Sequence, residues 1–189
     1  MPIDPSRPYP PAPFGESPQV PSFTLTSDDF QDGQPLSAAQ TALGGSVSPS
    51  LAWSGFPEAT KSFLITATDP DPQRGTSWHW VVSDIPVSLT RLPAGTRRNM
   101  LAVLASVLSA PRPLAGVAGS LQRRNSIGAI GFMGAMPPKG DHAHRYFFAV
   151  HALDVAHLDI DEKAKPQQVV EAAAPRTLAR ALLMGTHQR

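Results

Sequence analysis

The chain contains no cysteine, which excludes disulfide frameworks and thiolate metal sites and leaves the redox compartment open. It is also poor in charge. Lys, Arg, Asp and Glu make up 16% of its 189 residues and the formal net charge is +1, so a nucleic-acid surface, which needs a basic excess, is not expected. Long apolar runs are missing: the longest, Met100–Leu108, is far short of the roughly 20 residues a membrane-spanning helix requires. The N-terminal stretch has one basic residue and no apolar core of a secretory signal. Neither signal nor transit peptide is therefore expected, and a soluble, cytoplasmic protein is the default reading.

Proline is what the chain has in excess, at 21 residues, well above ordinary usage. Much of it lies in residues 1–21, which read as an extended arm, disordered or laid along a partner subunit. Residues 22–189 read as one domain, long enough to bury a core. Phe23–Thr26 and Leu51–Trp53 are short alternating stretches separated by Gly/Pro/Ser turns, the pattern of antiparallel strands rather than βαβ units. Ser62–Thr68 alternates as a half-buried strand with Phe63, Ile65 and Ala67 on one face. From Trp78 the sheet continues, and strict alternation places His79, Val81 and Ser83 opposite Trp78, Trp80 and Val82. Met100–Leu108 suits a short helix stopped by Pro111 and Pro113. The arginines around it (Arg97, Arg98, Arg123, Arg124) read as a solvated rim or as positive potential near an anion site. His144–Leu153 is the strongest strand, with His144, Tyr146, Phe148 and Val150 on one face. Pro166–Met184 has helix-forming composition; Pro166 suits the first turn, Gly185 the C-terminal cap, and Pro175 an interruption. Two short helices or one kinked helix are predicted there. The fold class expected is mainly β, an antiparallel β-sandwich-like core with peripheral C-terminal helices.

Two stretches carry candidate chemistry. In the first, Asp69 and Asp71 each precede a proline that cannot donate to a sheet ladder, so two acids stand at a strand end on stiffened backbone, and His79 follows on the next strand. The second is a proline-stiffened loop with Gly134 and Pro137, leading into a strand that bears His144 and Tyr146. If the two strands share a sheet face, His79, His144 and Tyr146 converge near the carboxylates. Such a set suits a small-anion pocket with imidazole, phenol and loop N–H donors. Asp69 and Asp71 would then orient the histidines or meet an ammonium group. A metal site is the alternative, although no compact metal motif is present. No serine lies in a nucleophile elbow. Each residue also has a plainer use: an Asp before Pro forms turns, a strand histidine packs in a core, and a tyrosine packs with its hydroxyl on a backbone acceptor.

The order of Asp69-Pro70-Asp71, Trp78-His79-Trp80-Val81-Val82, the Gly134–Gly140 loop (GAMPPKG) and His144-Arg145-Tyr146 resembles the phosphatidylethanolamine-binding protein family, and within it the bacterial Raf-kinase-inhibitor-like branch. Ser48–Gly55, Lys61–Phe63, Arg124–Ser126 and Ala152–Asp154 support the likeness, which spans about residues 22–186. The resemblance implies a non-enzymatic protein without cofactor. Its pocket for a phosphate-type anion or phospholipid head group would be lined by Asp69, Asp71, His79, Gly134, Pro137, His144 and Tyr146. It further implies an inhibitory role toward a kinase or protease, and a homodimer. A metal-assisted hydrolase using the same pocket and a protein-interaction module working through the proline-rich arm and residues 97–123 are the alternatives. The chain departs from the family pattern at Pro72-Gln73, at Ala135 and through residues 97–123.

Overall fold

The protein is described here from a computed structural model covering residues 3–15 and 19–189; positions 1, 2 and 16–18 of the expected arm lie outside the described residues. Among the described residues, nine strands form two antiparallel sheets. The smaller contains β1 (Thr24–Thr26), β2 (Leu51–Ser54) and β5 (Arg91–Leu92) in the order β1-β2-β5. The larger contains β3 (Ser62–Asp69), β4 (Ser77–Pro86), β6 (Arg112–Leu114), β7 (Val117–Gln122), β8 (His144–Leu153) and β9 (Thr177–His187), in the order β6-β7-β4-β3-β8-β9. The α-helices among the described residues are short: α1 (Met100–Ala105) and α2 (Pro166–Ala173). The mainly β, sandwich-like architecture is as expected.

The core lies between the sheets. Leu25, Leu51, Trp53 and Leu92 of the small sheet meet Phe63, Ile65, Trp80, Val82, Phe148 and Val150 of the large one. Each such side chain stabilises the fold by roughly 1.5–3 kcal/mol when taken fully out of water. A second cluster covers the other face of the large sheet, where Leu64, Val81 and Leu153 pack on Val169 and Ala173 of α2 and on Leu158. β3 is therefore buried on both faces along its whole length, not half-buried as its alternation predicts, because α2 supplies the second cover. Pro70 ends it at Asp69, as a residue with no N–H must in a central strand.

Two further expectations are corrected. The C-terminal segment is helical only through α2 and a 3₁₀ turn at Ala174–Arg176; Thr177–His187 is a strand. Its Ala, Leu and Arg favour helix, but Thr177, Ala179, Ala181, Leu183 and Gly185 bury one face at a period of two, and pairing with β8 along its length overrides propensity. Gly185 is not a helix cap: a Cβ there would stand 2.4 Å from Leu36 Cδ2, so its bare backbone is what Leu36 packs on. The second correction is in β4. Ala67 pairs with Trp80 but Thr68 pairs with Trp78, so His79 is the extra residue of a bulge. Trp80 and Val82 face the inter-sheet core, whereas Trp78 and Val81 face the other way. The bulge releases His79 from the face of Val81.

Residues 97–123 form α1, a 3₁₀ turn and the β6–β7 hairpin. Asn99 caps α1 by accepting from Ala102 N at 2.8 Å, and the helical stretch ends before Pro111. Pro113 is tolerated because β6 is the sheet edge. Two of the arginines are structural rather than rim. Arg123 is buried and donates to Ser83 Oγ and the Asp161 carbonyl, and Arg124 donates to the carbonyls of Val107, Ser109 and Gly128. Residues 3–15 lie against β8 and β9, with Tyr9 stacked on His142 and Phe14 edge-on to His151. Among the described residues, no helix is long and apolar enough to cross a membrane.

Candidate functional site

The ends of β3 and β8 bring the two sequence stretches together. Asp69 closes β3, and its two carboxylate oxygens divide their work: Oδ1 accepts from the Asp71 backbone N–H at 2.9 Å and Oδ2 from His144 Nδ1 at 2.8 Å. The first bond is the local Asx turn that an Asp before proline favours. The second joins the acid to the first residue of β8. His144 is fully buried, and its other nitrogen, Nε2, meets Asp141 Oδ2 at 3.2 Å. Burial opposes a charge on this imidazole, but the hydrogen bonds and charges of Asp69 and Asp141 outweigh it and raise its pKa above the ordinary value. Because carboxylates only accept, each ring nitrogen must carry a proton to bond both acids, and His144 then has no N–H to spare.

His79 is its counterpart. Its Nδ1 lies 2.8 Å from the Met133 carbonyl; a carbonyl only accepts, so Nδ1 carries the proton. Burial, the largest influence, lowers the His79 pKa; the Met133 carbonyl and Asp69 pull it up, and the His144 charge adds to the lowering. The neutral ring therefore presents the lone pair of Nε2, which makes no hydrogen bond among the described residues. Tyr146 stands edge-on to it, ring centroids 5.2 Å apart at 87°. Its hydroxyl is buried with no partner at full hydrogen-bond geometry, and the polar groups near it are the Asp69 carboxylate and the Met136 backbone. Burial, and then the charge of Asp69, raise the pKa of this phenol far above its usual value, so it remains a donor.

Asp71 does not orient an imidazole. Its carboxylate is completely buried and gripped by Arg145, whose Nη2 and Nε lie 2.6 Å and 3.0 Å from Oδ1 and Oδ2 and whose backbone N–H donates at 2.7 Å. Gly134 and Pro137 are buried beside the site. Gly134 donates to Ser46 Oγ at 3.1 Å. A Cβ there would come within 2.4–2.6 Å of the Thr41–Ala42 backbone, so the glycine serves close packing of two chain segments. The structure therefore brings Asp69, His79, His144 and Tyr146 together, puts Gly134 and Pro137 at the edge, and turns Asp71 toward Arg145.

Sequence reading missed Asp141, Arg145 and Arg7. Arg7, from the proline-rich stretch, reaches back to Asp141 at 2.6 Å and 3.0 Å and to the Asp71 carbonyl at 2.7 Å. This guanidinium, outweighing the cost of burial, holds the Asp141 carboxyl well below the usual range with help from His144 and the His142 N–H. For the first of these, the three-residue spacing from Asp141 to His144 is the one local signal that could have found it. Asp141, His142 and His144 also bring one ligand atom each within 4.8 Å of one another, an imidazole–carboxylate set of the kind that holds a divalent metal.

The sequence and the fold have relatives among known proteins. A family model described as "Phosphatidylethanolamine-binding protein" matches residues 26–188. The chain is 38% identical over 154 residues to the UPF0098 protein YbcL of Escherichia coli, covering 78% of each chain, and 38% identical over 151 residues to YbhB of the same organism, covering 77% of this chain and 87% of that one. The crystal structure of E. coli YbcL, described as a new member of the mammalian PEBP family, superposes with a TM-score of 0.76 at 34% identity, covering 89% of this chain and 99% of that one. A Chlamydia trachomatis homologue, CT736, superposes with a TM-score of 0.71 at 29% identity, covering 89% and 98%. The chain belongs to the phosphatidylethanolamine-binding protein family.

Proposed function

We propose that this protein binds a small anion, a phosphate or a phosphate-type head group, without catalysing a reaction, and that the anion contacts His79 and Tyr146. One observation carries the reading. The Tyr146 hydroxyl is buried without a well-formed hydrogen bond, beside an imidazole that has one nitrogen unused. An unsatisfied buried polar group costs about 1–3 kcal/mol, which a ligand oxygen accepting from it would offset. Proton uptake by His79 would add a second, charge-assisted donor. Asp69 and His144 form the fixed wall, and Asp69 would be the acid to meet a head-group ammonium. Calorimetric titration with phosphate and phosphoethanolamine tests this: His79→Ala and Tyr146→Phe should each weaken binding, and wild-type affinity in both variants would refute it.

Regulation of a kinase or protease and pairing into a homodimer rest on the family likeness; pull-down and sedimentation experiments decide them. A second reading, metal-assisted hydrolysis, draws on the Asp141/His142/His144 set and on the buried, unpartnered Nε2 of His142. Arg7 already donates to both Asp141 oxygens and weighs against a second cation there. Stoichiometric zinc or iron in the purified protein would favour the metal.

A further inference from the structure

A half-open cleft of about 510 Å³ lies beside the large sheet, and none of the seven expected site residues lines it. The segment through which the chain departs from its family pattern, residues 97–123, contributes Arg98, Arg112, Leu114 and Gln122 to it. Its walls include Trp80, Leu92, Leu114 and Phe132, and two arginines, Arg98 and Arg112, stand at it. The volume is in the range of small-molecule sites, which are mostly apolar with a few polar groups that fix orientation.

The arginines are what give this cleft a chemistry. Among the described residues, no carboxylate forms an ion pair with either of them. Arg98 is held by carbonyls alone, donating to Ile130 at 3.1 Å and to Ala102 at 3.3 Å. Gly131, at φ +92°, makes room for it: a Cβ there would stand 2.8 Å from Arg98 Nη1 and 3.3 Å from Gln122 Oε1. The bare backbone thus lets a guanidinium lie on the cleft floor beside a side-chain amide. Burial, and then the nearby Arg112, disfavour the Arg98 charge. Two like charges facing one apolar cleft without a counter-ion is an arrangement that an anion would relieve, and guanidinium groups match carboxylate and phosphate oxygens in geometry as well as charge.

We infer that this cleft is a second binding site, for an anionic amphiphile whose carboxylate or phosphate head meets Arg98 and Arg112 while its apolar body lies on Trp80, Leu92, Leu114 and Phe132. The cleft selects by requiring both parts: a head without a body loses the apolar wall, and a body without a charge leaves the guanidinium groups unpaired. This site is independent of the His79 pocket and does not rest on it.

The test is calorimetric titration of the full-length protein with decanoate and decyl phosphate below their micelle-forming concentrations, with decanol and acetate as the uncharged and tailless probes. The expected result is saturable one-site binding of decanoate or decyl phosphate, with neither decanol nor acetate saturating, and at least a tenfold loss of affinity in Arg112→Ala and in Arg98→Ala. The tighter of the two anions identifies the head group. Arg98 also supports two carbonyls, so Arg112→Ala, an exposed position, decides the matter if the Arg98 variant does not fold. No saturable binding of either anion, wild-type affinity in Arg112→Ala, or decanol or acetate binding as tightly as the amphiphilic anions, overturns the inference.

Discussion

Asp69 Oδ2 accepts from His144 Nδ1 at 2.8 Å while Asp141 Oδ2 sits 3.2 Å from Nε2 of the same ring, so His144 is clamped at both ends by acids. Its pKa is raised by them. A histidine with a raised folded-state pKa contributes stability that is fully present below its ordinary value, near 6.5, and that is lost as pH rises through the folded value. Asp69→Asn removes one clamp, which should cost on the order of 3 kcal/mol for a broken buried pair. The loss should be larger at pH 5.5 than at pH 9. Urea unfolding at the two pH values checks this; an equal loss at both would mean that His144 is neutral throughout.

His79 behaves in the opposite sense. Its pKa is lowered, chiefly by burial, so an anion that needs the imidazolium must bring a proton with it. Binding of sulfate, which does not itself titrate near neutrality, should tighten as pH falls from 7, by up to about tenfold per unit until the free His79 begins to charge. His79→Ala should flatten that slope. Proton uptake on binding, measured in two buffers of different ionisation enthalpy, gives the same information independently.

Tyr146 offers a separation of stability from binding. Its hydroxyl is buried without a well-formed hydrogen bond, so Tyr146→Phe removes an unsatisfied group and should leave the melting temperature of the ligand-free protein unchanged or raised. Phosphate affinity should fall about tenfold, equal to roughly 1.4 kcal/mol for a lost hydrogen bond to a charged ligand. A variant that melts lower without ligand would show that the hydroxyl has a structural partner.

The proline-rich stretch makes a prediction of its own. Arg7 bonds Asp141 and the Asp71 carbonyl with its side chain 15% exposed, and Tyr9 lies between His142 and Arg145. Arg7→Ala should cost about 1–3 kcal/mol in stability, the range for losing charged hydrogen bonds at a partly buried acid. The Asp141 carboxyl should move up toward its ordinary value in a carbon-detected NMR titration. An unchanged Asp141 titration would place Arg7 in solvent.

Much of this fold was legible in residues that restrict the backbone. Pro70 and Pro72 mark the end of β3, and the alternation in His144–Leu153 marks β8 and its faces. The strand β9 was not legible, because Ala, Leu and Arg favour helix and only pairing with β8 decides otherwise. Nor was the bulge at His79, which exists only in the register between β3 and β4. That Asp69, His79, His144 and Tyr146 lie together was legible from residue type and position. Their partners escaped because those contacts are long in sequence: Asp71 meets Arg145 across 74 positions and Asp141 meets Arg7 across 134. Asp71 illustrates the point, since its proline neighbour announced a rigid acid but nothing nearby announced the arginine that holds it.

The account turns on whether an anion meets His79. Long-range ¹H–¹⁵N spectra of the imidazoles, recorded near pH 7 with increasing phosphate, report the protonation and hydrogen bonding of each ring. The predicted result is that His79 Nε2 shifts from the unprotonated to the protonated range as phosphate saturates, while His144, already charged and clamped, moves little. A His79 signal that stays unchanged at millimolar phosphate would contradict the account.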